Sequence, residues 1–282
     1  MKVLQKSAYD LTFFGQHITV EPTSKRIKVY QLPTENNMDT FMNRLEKLAR
    51  ETNCDKLIFY ISPNQQEVMK SYDADYEGMI QGFFYGETAL IYAIFLNSDR
   101  KQSEDSEAEK QVMQNIKERM KEGLTFDLAE GYSMRWAEKK DAPQMALLYK
   151  TVFKSYPTPM NDPEFIKEMM QNQVYFSIIE KEGSVVSACS ADVLSEYQAA
   201  ELSDCATYPN HRGKQLLSYQ VSRLIPRIKQ MGINVLFSYS RSVSVGMNLV
   251  NVKHGFQYGG KMIRNSNIAG SMENMNIWYK TL

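Results

Sequence analysis

A basic turn between a strand and a helix is the part of this sequence best suited to bind an anion. Ala199 to Thr207 has the pattern of a strand, Arg212-Gly213-Lys214 follows as a turn, and Leu216 to Ile228 has helical apolar spacing. The first N–H groups of a helix lack partners within it. These free N–H groups, the positive end of the helix dipole and the side chains of Arg212 and Lys214 lie together. This arrangement predicts a site for the phosphates of a nucleotide-like molecule. A basic surface turn without a ligand is the alternative.

The elements around this turn predict a mixed α/β unit from Ser133 to Tyr279. Asp141 is a typical N-cap of a helix, and the Asp162-Pro163 pair opens a second one. Gly255 is suited to end the last helix. Apolar periodicity and turn residues together give the element order β-α-α-β-β-β-α-β-α-β-β.

The N-terminal part of the chain predicts a smaller α/β domain. Lys56 to Ser62 and the apolar run Ala89 to Leu96 read as strands, and Pro63 to Ser71 as a helical stretch. Gly82-Phe83-Phe84-Tyr85-Gly86 has the same pattern as Gly255-Phe256-Gln257-Tyr258-Gly259. The match indicates either a degenerate half of the same fold or a chance similarity.

A charged stretch separates the two parts. Asp99 to Lys110 contains no apolar residue except Ala108, so it cannot bury a face and reads as a solvated linker or helix start. We therefore predict an N-terminal domain over residues 1–125, with a charged linker helix at its end, and a second domain over 131–282. The apolar positions of that helix are Val112, Met113, Ile116 and Met120.

Composition excludes several classes of function. The chain has 282 residues, with 33 basic and 33 acidic side chains, so net charge points to neither nucleic acid nor an acidic membrane. No apolar run reaches the roughly 18 residues of a membrane span. The three cysteines and three histidines are scattered, which predicts no metal site and no disulfide set. A reducing, cytoplasmic location fits this composition best.

Three segments resemble the GNAT family of N-acetyltransferases. Ala200 to Lys214 is similar to its acyl-CoA-binding signature, Arg135 to Asp141 to its opening strand and capped helix, and Ser244 to Phe256 to a later helix. The resemblance covers 131–282. It implies the GNAT acyltransferase fold, an α/β fold with a mixed sheet, and acetyl-CoA as the acyl donor.

The family signature reads Arg/Gln-x-x-Gly-x-Gly/Ala, and this chain departs from it. Gln215 and Leu217 stand where the signature has small residues, and Asn251 stands where the family often has a tyrosine that protonates the leaving thiolate. The resemblance implies that the cofactor is bound by Ala206, Thr207, Arg212, Gly213, Lys214, Gln215, Leu216, Leu217, Asn248 and Asn251.

Direct transfer to an amine requires that the amine lose a proton, because its pKa is about 10.4 in solution. By resemblance Glu201 is the first candidate for the base, although a solvent-facing strand carboxylate is the alternative. Asp204 is the second, and strict alternation puts it on the opposite face. The N–H of Cys205 or Ala206 would stabilise the oxyanion. The Cys205 thiol reads as a small buried group rather than a nucleophile, and Tyr239 is a candidate acid.

Five motifs between residues 204 and 280 resemble the β-lysine N-acetyltransferase subgroup. They are Asp204 to Pro209, Ser238 to Asn248, His254 to Gly260, Asn267 to Gly270 and Glu273 to Lys280. The resemblance implies acetylation of the ε-amine of L-β-lysine, a small amino acid made by a partner lysine 2,3-aminomutase. Candidates for binding this acceptor are Tyr156, Arg241, Asn267, Glu273, Asn274 and Asn276.

Other functions remain open at this point. The departures from the signature are compatible with a non-catalytic acyl-CoA-binding module. A protein or peptide N-acetyltransferase, with the N-terminal domain as a recruiting surface, is a further alternative. Association of two copies of the chain and the part played by the N-terminal domain are also left open.

Overall fold

The computed structural model of the chain describes residues 8–102, 106–119 and 126–282. The predicted helix position Met120 lies outside these residues. In the N-terminal half the elements are β1 (Tyr9–Phe13), β2 (Gln16–Glu21), β3 (Arg26–Val29), α1 (Met38–Glu51), β4 (Lys56–Ile61), α2 (Gln66–Ser71), β5 (Asp75–Phe84) and β6 (Glu87–Phe95). Two helices follow, α3 (Ser98–Lys101) and α4 (Glu107–Arg119).

The C-terminal half has the element order predicted from periodicity. Its elements are β7 (Tyr132–Trp136), α5 (Ala142–Val152), α6 (Pro163–Gln171), β8 (Val174–Lys181), β9 (Ser184–Leu194), β10 (Ala199–Thr207), α7 (Leu216–Gln230), β11 (Val235–Arg241), α8 (Val245–Lys253), β12 (Gln257–Ile268) and β13 (Ser271–Thr281). The predicted α/β fold is confirmed. Asp162 caps α6 by accepting the N–H of Glu164 at 2.9 Å. No helix within the described ranges is long and apolar enough to cross a membrane.

All described strands belong to one 13-stranded sheet of order β1-β2-β3-β4-β6-β5-β12-β13-β11-β10-β9-β8-β7. The strands β1 to β6 follow one another in the same order as β8 to β13. In each half one parallel pair interrupts antiparallel neighbours, β3 with β4 and β10 with β11. The N-terminal half therefore repeats the strand order of β8 to β13. Its described residues contain no equivalent of β7, α5 and α6, which begin the C-terminal half.

The two pentapeptides that suggested a half-repeat do not occupy equivalent places. Gly82 to Gly86 covers the end of β5 and the turn into β6, whereas Gly255 to Gly259 joins α8 to β12. The five-residue similarity is therefore not a marker of a repeat. Only the order and direction of the strands relate the two halves.

The sheet folds back so that its two halves share a core. On β3 and β4 alternate side chains point to opposite faces. Val29 and Phe59 pack beneath α1, whereas Tyr30 and Tyr60 pack with Phe237 of β11 in a cluster drawn from both halves. The rings of Tyr30 and Tyr60 stack at 4.8 Å between centroids. One face of the N-terminal half thus lies against the β10–β11 face of the C-terminal half.

Buried cations tie the halves together at the edge of this core. Lys56 donates to Glu77 Oε1 and to the carbonyl of Ile263, each at 2.8 Å. Arg26 donates to the carbonyl of Asn265 at 2.9 Å. Because these cations are buried, the β12 carbonyls replace water as their partners. Their loss would leave unsatisfied charge between the halves.

Candidate active site

The two parallel strands of the C-terminal half separate and leave a slot. β10 and β11 pair only at Ala199 with Val235, Ala200 with Leu236 and Glu201 with Phe237. Both strands continue beyond this register, to Thr207 and Arg241. The edge of β10 that faces β11 therefore has no ladder partner there, although Arg212 Nε donates to the Thr207 carbonyl at 3.2 Å.

The prediction that Asp204 points away from Glu201 is wrong. β10 contains a bulge between Ser203 and Ala206, and Asp204 has a left-handed φ of 48°. Ser190 lies opposite Ser203 on β9, and its hydroxyl donates to the Asp204 carboxylate at 2.8 Å. Since an extra residue in one strand resets the alternation, Asp204 lies on the same face as Glu201.

Asp204 is held by protein groups. The hydroxyl of Tyr156 donates to its carboxylate at 3.0 Å, and the hydroxyl of Tyr149 donates to its backbone carbonyl at 2.7 Å. Burial raises the pKa of Asp204, although the hydrogen bonds from Ser190 and Tyr156 oppose this shift. Asp204 and Tyr156, predicted as catalytic and acceptor-binding residues, meet at the bulge, where they set the path of β10 beside the slot.

Glu201 has the environment of a general base. Its half-buried carboxylate has no hydrogen bond or ion pair within the described part of the chain. Asp192 of β9 lies directly opposite it in the antiparallel register. Burial raises the pKa of Glu201 to about 7, Lys28 lowers it, and Asp192 raises it further. Burial likewise raises the pKa of Asp192 to about 6. The sequence analysis missed Asp192, since cross-strand register was needed to find it.

The N-terminal half brings charge to the same place. Lys28 is only 8% exposed, and its ammonium group lies 3.0 Å from Glu21 Oε1. Arg26 forms a second ion pair with the same carboxylate. Although burial alone would raise the pKa of Glu21, the two cations lower it to about 2. These three residues were also missed, although inward-facing charges alternating with apolar residues along β3 were a signal.

A pair of tyrosines joins the halves beside the slot. The hydroxyl of Tyr239, on β11, lies 2.6 Å from the hydroxyl of Tyr60, on β4. Burial is the main cause that raises the pKa of both phenols above the usual range. Tyr239 therefore keeps its proton at neutral pH and is a weaker acid than a free phenol.

The basic turn has an open, solvent-facing structure. Arg212, Gly213, Lys214 and Gln215 are exposed, and α7 begins at Leu216 with no side-chain cap. Gln215 has a φ of 57°, the left-handed conformation that glycine adopts most readily. The turn therefore keeps the shape of a glycine-containing loop, and the first N–H groups of α7 face it, as an anion site requires.

The flanking positions of the predicted cofactor site are less accessible. Ala206 and Leu216 are buried, and Thr207 shares a hydrogen bond of 2.8 Å with Ser187. Leu217 packs against the core between α7 and α8. If these residues contact a cofactor, they do so through backbone groups or partly buried side chains.

Asn248 does not have a free polar atom in this arrangement. Its amide donates to the carbonyls of Arg241 and Ser244 at 2.9 and 2.7 Å. Its oxygen accepts from Asn276 and Trp278 at 2.9 and 2.8 Å. Because an asparagine side chain has two donor hydrogens and two acceptor sites, this geometry does not support the predicted cofactor contact. Asn248 and Asn276 instead join α8 to β13.

Other predicted binding residues also have protein partners. Arg241 pairs with Glu273 at 3.0 Å, and Asn274 donates to Glu109 of α4 at 2.9 Å. Asn267 donates to the Thr23 carbonyl at 3.2 Å. Asn251 donates to Ser240 at 2.8 Å, while its fully buried Oδ1 has no partner among the described residues. The predicted acceptor-binding side chains of Arg241, Asn267, Glu273 and Asn274 are thus bound to other parts of the protein and do not contact Glu201.

The cysteines offer no metal site. Cys205 is half-buried, and its sulfur lies 3.2 Å from that of Cys189 on β9. Among the residues that the structure describes, no group of three or more His, Cys, Asp or Glu side chains could hold a metal ion. The predicted oxyanion contact of Cys205 would come from its backbone N–H, which lies at the bulge.

Comparison with known proteins places this site in a family. The chain is 34% identical to N-acetyltransferase YodP of Bacillus subtilis over 260 residues, which covers 92% of this chain and 93% of the relative. It is 27% identical to a β-lysine N(6)-acetyltransferase of Methanococcus maripaludis, with 90% and 92% covered. An acetyltransferase structure from Salmonella typhimurium, yncA, superposes with a TM-score of 0.47 and 18% identity, over 54% of this chain and 95% of that one. No protein-family model matches the chain.

The match to YodP extends over both halves and across the β10–β11 slot. The chain therefore belongs to the family of N-acetyltransferase YodP, and it is an enzyme that transfers an acetyl group to an amine.

Proposed function

We propose that this enzyme uses acetyl-CoA to acetylate the ε-amine of L-β-lysine. The observation that carries the proposal is the Glu201 carboxylate, which makes no hydrogen bond or ion pair with any described residue and lies where β10 and β11 separate. The similarity to the β-lysine N(6)-acetyltransferase of Methanococcus maripaludis supports the choice of acceptor. In this proposal a lysine 2,3-aminomutase supplies the acceptor.

The basic turn and the slot fit the two ends of the donor. Arg212, Lys214 and the first N–H groups of α7 would hold the pyrophosphate, because charge and aligned donors converge there. The thioester supplies an activated acetyl group at the slot. The N–H of Cys205, at the bulge of β10, is suited to stabilise the oxyanion that develops on the carbonyl, whereas the Ala206 N–H points to Ala188 of β9 in the strand register.

Proton transfer is assigned to residues that face the slot. Glu201 takes the proton that the reacting amine must lose, since no described residue hydrogen-bonds to its carboxylate. Tyr239, which is hydrogen-bonded to Tyr60, is suited to donate a hydrogen bond to the leaving thiolate, and the thiolate takes its proton from water. Asp204 acts through the bulge rather than on the proton, because two hydroxyl groups already bind its carboxylate.

The acceptor is tested by release of the CoA thiol. We expect kcat/KM for β-lysine to exceed that for cadaverine, which lacks the carboxylate, by about 10²-fold or more. α-Lysine, whose second amine is moved by one carbon, should fall between them. A better rate with cadaverine or a histone-tail peptide would remove β-lysine and leave the acetyltransferase. Binding of acetyl-CoA without thiol release from any amine would indicate a non-catalytic module.

The donor site is tested by replacing Arg212 and Lys214 together with alanine. We expect CoA to bind about 10-fold or more weakly, while a pantetheine fragment, which lacks the pyrophosphate, binds as before. Calorimetry measures both ligands. Lys229→Ala, an exposed change in the last turn of α7, is the matched control. Equal losses for CoA and pantetheine would contradict the placement.

A further inference from the structure

We propose that the N-terminal half selects the acceptor: Lys28 binds its carboxylate, and Asp192 binds its second ammonium group while the far amine meets Glu201. The proposal rests on the function proposed above and adds the residues that determine specificity. It assigns a function to the N-terminal half, which supplies one wall of the acceptor site.

The position of Lys28 follows from strand alternation. Ile27 and Val29 of β3 pack in the core beneath α1, so Lys28 points to the opposite face, toward the C-terminal half. Its charge acts on Glu201 and Asp192, whose pKa values it lowers against the effect of burial. Lys28 is therefore a nearly buried cation beside the proposed base.

The charge balance leaves Lys28 able to bind an anion. Glu21 is one carboxylate shared by two cations, Arg26 and Lys28. Arg26 also donates to the Asn265 carbonyl at 2.9 Å and to Ser266 Oγ at 3.0 Å. Lys28 has three donor hydrogens, and Glu21 is its ion-pair partner within the described ranges. Lys28 therefore has donor hydrogens left for a substrate carboxylate.

Asp192 and Glu201, the two carboxylates on which Lys28 acts, are suited to bind positively charged groups. Asp192 and Glu201 are directly opposed on neighbouring strands, an arrangement that is unfavourable when both are charged. Neither makes a hydrogen bond or ion pair within the described residues. Asp204, the third carboxylate on this face, already accepts from Ser190 and Tyr156. An acceptor with two amines would bring one ammonium group to Asp192 and the reacting amine to Glu201.

The spacing of the strands and the packing of the halves favour a small acceptor. Tyr30, Tyr60 and Phe237 pack in the core that the two halves share, and the Tyr60–Tyr239 hydrogen bond spans the two halves. Neighbouring strands are about 4.8 Å apart, so Asp192 and the slot are separated by the length of a short aliphatic chain. A free diamino acid meets both conditions.

Three acceptors separate the two contacts. β-Lysine carries both groups, 1,4-diaminopentane lacks only the carboxylate, and 6-aminohexanoate lacks only the second amine. For the unmodified enzyme we expect β-lysine to exceed each analogue by about 10- to 100-fold in kcat/KM. Lys28→Met should abolish the advantage over 1,4-diaminopentane and raise KM for β-lysine. Asp192→Asn should abolish the advantage over 6-aminohexanoate. Lys28→Arg should retain the preference for a carboxylate.

The controls distinguish specificity from folding. Lys47→Met, a change at an exposed lysine of α1, should leave all three rates unchanged. If Lys28→Met lowers kcat for all three acceptors equally, Lys28 supports the fold or the base, and the proposal is overturned. If the unmodified enzyme acetylates other amines but none of these three, the proposed function fails with it. If it prefers β-lysine and both variants keep that preference, only the assignment of Lys28 and Asp192 fails.

Discussion

Replacement of Glu201 by glutamine is expected to lower kcat/KM for β-lysine at pH 7 by about 10²- to 10⁴-fold, the range of a lost general base. The amide keeps the size of the side chain but cannot accept the proton. Because the carboxylate makes no hydrogen bond within the described residues, the variant breaks no internal contact that would destabilise the fold. Thiol release over a range of pH measures the effect.

The pH dependence gives the sharper test. Burial raises the pKa of Glu201 to about 7, with Lys28, Asp192, Arg26 and Asp204 as the charged groups that act on it. Below this pH the base is protonated and inactive, so kcat/KM should rise with pH through about 7. In Glu201→Gln the rise of kcat/KM near pH 7 should disappear. The value of kcat/KM should instead increase as the pH approaches the amine pKa of about 10.4. The variant should therefore recover much of its rate at high pH.

Glu87→Gln, which neutralises an exposed carboxylate on β6, serves as the control and should keep the normal profile. An unchanged rise of kcat/KM near pH 7 in Glu201→Gln would remove Glu201 from the mechanism. A water molecule or Asp204 would then be the remaining candidate for the base.

The second large effect concerns the crossing of β5 and β12, where the two halves pair through Gly78 and Gly260. A Cβ at Gly260 would lie 2.6 Å from the Cα of Gly78 and closer still to the Glu77 carbonyl, and Gly260 has a φ of 139°. Neither backbone can move away without separating the halves. We expect Gly260→Ala to lower the free energy of unfolding by about 3 kcal/mol or more, as measured by urea denaturation.

Gly246→Ala is the matched control for the crossing. Gly246 lies in α8, and a Cβ there would meet no atom within 4 Å. Since alanine favours a helix over glycine by about 1 kcal/mol, this variant should be as stable as the parent or more stable. Gly78→Ala should resemble Gly260→Ala, because its Cβ would lie 2.9 Å from the Gly260 Cα. If Gly78→Ala and Gly260→Ala both unfold at the same urea concentration as the parent, the association of the halves does not require the close backbone contact at Gly78 and Gly260.

A weakened crossing should also reduce activity, because the acceptor site as proposed draws residues from both halves. Lys28 and Tyr60 come from one side of the crossing, and Glu201 and Tyr239 from the other. The N-terminal half would then be part of the catalytic unit.

Sequence alone determined the local features of this protein. The apolar periods of the C-terminal half, with caps such as Asp162 and Gly255, gave the element order that the structure shows. The turn at Arg212 to Lys214 was also evident, because basic side chains beside a helix start are adjacent in sequence. Each of these signals is carried within a few residues, so no knowledge of long-range contacts was required.

Only the tertiary structure decided which side chains meet. The bulge in β10 places Asp204 on the face of Glu201, and strict alternation could not show it. Asp192 is found through the β9–β10 register, and Lys28 through the folding of one half of the sheet over the other. Asn248, which looked available for a cofactor, is fully engaged by distant partners. Register, bulges and the packing of two sheet faces arise from contacts between residues far apart in the chain, and local periodicity does not encode them.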